Sequence, residues 1–162
     1  MLAIYVLCRM HGSLGQRAMD ELFKASFPAL SDVAAKQTSI ADEAYNCIAW
    51  AFEDNQRFWW PSKRTFWPLN HRGRTTKQAF DDWLTHDGWS VTLDSHYLSG
   101  TRKIALYELG GVPTLAARLL PNGVWTSKLG KSLDLVHTLQ ELEGPLYGVV
   151  ASVYAKSADF GV

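Results

Sequence analysis

At Gly88 the hydrophobic pattern of this chain changes period, and that change constrains the fold more than any other feature. Before it, apolar residues recur at helical spacing. Met19, Leu22, Phe23 and Phe27 do so within Gln16 to Phe27, and Ala79, Phe80, Trp83 and Leu84 do so in a segment running from the candidate caps Thr75 and Thr76 to His86. After it, short alternating runs bounded by Gly, Pro and Asn read as strands: Trp89 to Leu93, Lys103 to Leu109, Thr114 to Leu120, Val124 to Ser127 and Tyr147 to Tyr154. Pro121-Asn122-Gly123 suits a tight hairpin, and Thr138 to Glu143 a single helical turn. Helices first and strands second is the order of an α+β domain, with N-terminal helices packed on a C-terminal antiparallel sheet of four to five strands.

One domain over residues 1–162 is expected, because two cores cut from this length would each sit near the limit at which burial outweighs chain entropy. Sixteen basic and sixteen acidic side chains cancel, so net charge points to no partner. Cys8 and Cys47 are too few for a disulfide framework, and no CxxC or HExxH spacing offers a metal site. Neither metal nor cofactor is expected, and a reducing, cytoplasmic setting is. The apolar start MLAIYVLC is shorter than a secretion signal or a membrane helix requires. It reads as a short buried strand or as an extension ahead of Met10, and no membrane partner is expected.

The strongest chemical signal is Cys47. A second helix begins in Tyr45 to Phe52, with Asn46 as its cap and Cys47 at the first helical position. There the unpaired N–H groups and partial positive charge of a helix start favour a thiolate and can hold an oxyanion. The alternative is a small buried apolar residue beside Trp50 and Phe52.

Five stretches together resemble small bacterial papain-like domains of uncharacterised function, related in layout to the NlpC/P60 and transglutaminase-like hydrolases. They are YNCIAWAF at 45–52, RFWWPS at 57–62, FWP at 66–68, KIALYEL at 103–109 and PTLAARLLPNGVWTSKLGKSLDLVH at 113–137. The resemblance runs from about Tyr45 to the strand near Tyr154. It implies a papain-like fold, Cys47 as the nucleophile in hydrolysis or acyl transfer at a peptide or amide bond, and a peptide or protein as substrate or partner. It also implies histidine where this chain has Leu115. Leucine accepts no proton, and the general acid–base assistance lost with it is worth roughly 10²–10⁴-fold in rate.

His137 is the candidate replacement base. It follows Asp134 by three residues in a segment that resembles the family's Asp-x-x-His, and His71 is a weaker choice. A loop-anchoring histidine bonded to backbone is the alternative. In the strand before it, alternation puts Trp125 and Ser127 on one face and Thr126 and Lys128 on the other. Thr126 or Ser127 could orient the base, while a polar outer side is the simpler account of Thr126 and Lys128.

Residues 57–74 carry Arg57, Lys63, Arg64, Arg72 and Arg74 among Trp59, Trp60, Phe66 and Trp67, with no acidic residue. In the hydrolase reading Trp59, Trp60, Trp67 and Trp125 wall a substrate groove. The alternative is an aromatic plug whose cations are solvated at their tips. Two functions follow: a papain-like thiol hydrolase, or a catalytically inactive binding domain of the same fold that recognises a protein partner through the Trp-rich loop. Nucleic-acid binding by the basic loop has no recognised motif behind it.

Overall fold

The computed structural model describes residues 21, 23–32, 36–130 and 132–158. The MLAIYVLC start, Cys8 and most of the expected Gln16 to Phe27 helix lie outside them; residues 23–26 are helical. Lys36 is also helical, and α1 (Cys47–Ala51) and α2 (Thr76–His86) follow. Then come β1 (Ser90–Thr92), β2 (Thr101–Leu109), β3 (Val112–Leu119), β4 (Trp125–Lys128), β5 (Asp134–His137), a 3-10 turn (Leu139–Leu142) and β6 (Val149–Ser157). The strands form one antiparallel sheet in the order β1-β6-β2-β3-β4-β5.

Helix α2 forms for the reasons its sequence states. Thr75 Oγ1 accepts from Gln78 N–H at 3.2 Å, and Gln78 Oε1 accepts from Thr75 N–H at 3.0 Å, a reciprocal cap. Ala79, Phe80 and Leu84 face the core, and the helix stops where Gly88 takes a φ of 78° that costs other residues a backbone clash. The Pro121-Asn122-Gly123 turn likewise closes on a left-handed Gly123 and a bond from Gly123 N–H to Leu120 C=O.

The sheet has six strands, not four to five. The added one, β5, is a four-residue Asp-Leu-Val-His run, too short for alternation to announce it. Its pairing with β4 turns what reads as a loop into a strand. Strand β6 runs three residues past Tyr154, because Thr101 and Arg102 pair with Ser157 and Lys156 whatever their polarity.

Register decides which side chains share a face. Tyr107 pairs with Leu115, Leu119 with Trp125, Ser127 with Leu135 and Trp125 with His137. Leu115, Trp125, Ser127, Leu135 and His137 therefore point to one face, and Ala116, Arg118, Thr126, Lys128 and Asp134 to the other. The α1 layer sits on the second face: the Arg118 guanidinium stacks 3.6 Å from the Trp50 ring centre, and Lys128 Nζ lies 4.2 Å from that of Tyr45. The 3-10 turn covers the first, where Tyr107 O–H donates to Leu139 C=O at 2.7 Å. Among the described residues no helix is long and apolar enough to cross a membrane.

Candidate active site around Cys47

Asn46 caps α1 as expected and does more. Its Oδ1 accepts from Ala49 N–H at 3.2 Å and from Trp59 N–H at 3.1 Å, while Nδ2 donates to Trp59 C=O at 2.8 Å. One buried amide thus caps the helix and anchors the aromatic loop to it. Cys47 follows at the first helical position, and it is only 4% exposed, inside the core cluster. Burial pushes its thiol up to about 11, against the lowering effect of the main-chain N–H groups of Ala116, Ile48 and Cys47 and of the Lys128 charge. Desolvation beats the helix start here, so at neutral pH the group is a thiol.

Leu115 is fully buried on β3. His137 is buried on β5 with both ring nitrogens occupied: Nδ1 lies 2.8 Å from Thr138 C=O and Nε2 2.9 Å from Ser127 Oγ. A carbonyl only accepts, so Nδ1 carries the hydrogen and Nε2 accepts from the Ser127 hydroxyl. Burial holds the imidazole down at about 4, neutral at pH 7. Among the described residues no hydrogen bond joins Cys47 to a histidine. What links the two is the Ala116 main chain, whose N–H reaches the thiol and whose C=O lies 3.2 Å from Ser127 Oγ.

Of the residues expected to support the site, Ser127 meets His137 and Asp134 does not. Three positions apart on a strand, Asp134 and His137 point to opposite faces. Asp134 Oδ2 instead accepts from Tyr45 O–H at 3.0 Å, with Oδ1 3.7 Å from Lys128 Nζ. Nor do Thr126 and Lys128 form a polar outer side. Both are buried, Thr126 Oγ1 donating to Leu135 C=O at 3.0 Å and Lys128 Nζ to Ser132 C=O at 2.7 Å. Polar residues on the α1 face carry no sequence signal, since alternation separates the faces without saying which is covered.

The model of the family described as a domain of unknown function (DUF7689) matches residues 36–155. The chain belongs to this family. No curated protein and no solved structure matches it. The DUF7689 span contains Asn46, Cys47, Leu115, Ser127, Asp134 and His137, and it also contains the aromatic loop.

That loop is a plug in this DUF7689 domain. Trp59 and Trp67 are buried, and Trp59 packs on Phe52, Phe66, Trp67 and Trp83 with ring centres 5.2 to 6.4 Å apart. Trp60 is half-buried against Phe80 at 5.9 Å, and Trp125 is buried on the other face of the sheet from α1. Among the described residues Trp59, Trp60, Trp67 and Trp125 do not wall one common groove, because the first three pack with the helices and Trp125 lies on the other face of the sheet. Asp54 ties the loop's entry, accepting from Trp59 Nε1–H and from Arg57 Nε–H, each at 2.7 Å. Arg57 lies over the Phe66 ring at 3.9 Å and Arg74 pairs with Asp82 at 2.9 Å, whereas Lys63, Arg64 and Arg72 are exposed and pair with no described carboxylate.

Proposed function

We propose that this DUF7689 domain is a catalytically silent binding domain built on a papain-like plan, which recognises an acidic protein surface through its 57–74 loop. Cys47 carries the first half of the reading: a sealed, un-ionised thiol to which no described imidazole is bonded lacks the charge and the described proton acceptor that nucleophilic catalysis needs. The second half rests on the outer side of the loop, where the rings turn inward and Lys63, Arg64 and Arg72 are left in solvent. Free cations over a rigid aromatic base steer and hold a partner of opposite charge.

The test has two arms. Native Cys47 should react with iodoacetamide only as fast as the domain opens. A poly-glutamate peptide should bind in low salt and be lost on joint reversal of Lys63, Arg64 and Arg72 to Glu, with the unfolding midpoint unchanged. Rapid native labelling overturns the silent site. Binding of a labelled single-stranded oligonucleotide without binding of the peptide replaces the protein partner by nucleic acid.

A further inference from the structure

A cleft of about 580 Å³ opens on the His137 face, at the β5 edge of the sheet, well away from Cys47's helix. Among the described residues one wall is Ser95 to Tyr97, from the β1–β2 connection. The other is Trp125 with His137 to Glu141, and Lys36 also lines the cleft.

Polar side chains fix the backbone on both sides of the cleft. Lys103, whose side chain is 2% exposed, donates to Asp94 C=O at 3.0 Å, to Asp94 Oδ2 at 2.8 Å and to His96 C=O at 2.6 Å. A buried ammonium thus devotes its three hydrogens to fixing the Asp94–His96 backbone. Opposite it, Glu141 bonds Thr138 N–H at 2.8 Å and pairs with Lys36, and His137 Nδ1 holds the Thr138 carbonyl. Burying such groups is costly, and a loop tip that served only as a connection would not need them. The volume lies within the ~300–1,000 Å³ range of small-molecule sites.

The lining also selects a ligand class. Lys36 is neutralised by Glu141, and Asp94 by Lys103, so no uncompensated charge faces an ionic ligand. What remains is the aromatic side chains of Tyr97 and Trp125 and the uncharged hydrogen-bonding groups of Ser95, Tyr97 and Gln140. Flat apolar faces flanked by hydroxyl and amide groups suit a neutral molecule with an apolar face and a hydroxyl-rich edge. We propose that this cleft binds a neutral mono- or disaccharide, separately from the 57–74 loop.

The full chain would be titrated with glucose, galactose, mannose and their disaccharides while amide shifts of an isotope-labelled sample are followed. At least one sugar should give saturable shifts confined to 95–97, 125 and 136–141. Ser95→Ala and Gln140→Ala, both away from the core, should each weaken it at least threefold, and the pair at least tenfold, with unchanged unfolding midpoints. No saturable shift with any of these sugars overturns the proposal, as do shifts centred elsewhere. Tighter binding of gluconate, of glucosamine or of an uncharged extended peptide overturns the ligand class.

Discussion

Ser127 Oγ lies 2.9 Å from His137 Nε2 and 3.2 Å from the Ala116 carbonyl, so one hydroxyl hydrogen faces two acceptors. The neutral imidazole takes it. Were His137 protonated, Nε2–H would donate to Ser127 and the hydroxyl would turn to Ala116, beside the Cys47 thiol. The state of a buried histidine on β5 is thereby felt on β3.

That state sets a pH dependence. Burial lowers His137 from 6.5 to about 4 in the folded chain, so between these values the unfolded chain binds more protons and stability rises with pH. The contribution is complete above about pH 6.5 and is lost as pH falls through 4; at full size it is on the order of 3 kcal/mol. Urea midpoints measured from pH 4 to 8 should climb in the parent and climb less in His137→Gln. Parallel profiles would contradict the assignment.

Cys47 should behave as core. With Cys8 replaced by Ser, native labelling should track global unfolding as urea is raised, and Cys47→Ala should cost about 1–2 kcal/mol through lost packing. A labelling rate that follows thiolate ionisation near neutral pH, independent of urea, would show an open, activated group instead.

Asn46→Ala removes a helix cap and both bonds to the Trp59 backbone, leaving a buried N–H and C=O without partners. The expected loss is about 2–4 kcal/mol, above the ~1 kcal/mol typical of a cap alone. Asn46→Asp should recover the two accepted bonds and not the donated one. Equal midpoints for the Ala and Asp variants would remove Asn46 as the anchor of the loop.

Lys128 and Asp134 form a buried pair beside Tyr45. Lys128→Met alone strands a buried carboxylate and should cost about 3–5 kcal/mol, whereas Lys128→Met with Asp134→Asn should cost less than the sum of the two single changes. Additive costs in chemical denaturation would show that the two charges do not depend on each other.

How far the site was legible follows from these residues. Asn46 and Cys47 are neighbours in sequence, so capping chemistry alone places them at the start of α1. The same local logic found α2, its Thr75 cap and the Asn122-Gly123 turn. Ser127 and His137 are ten residues apart and meet only because β4 and β5 pair in one register, with β5 itself too short to recognise. The Asp-x-x-His spacing misled because a helix or a turn could bring such residues together, whereas a strand separates them.

The sequence by itself determined the order of helices and strands, the starts and stops of the best-marked elements, and the helix-capped position of Cys47, because each depends on residues within a turn or two of chain. Only the tertiary structure decided that the thiol is sealed, that the tryptophans turn inward, and that His137 serves Ser127. Burial and cross-strand contact depend on which distant segments lie on each face of the sheet, and no local pattern encodes that.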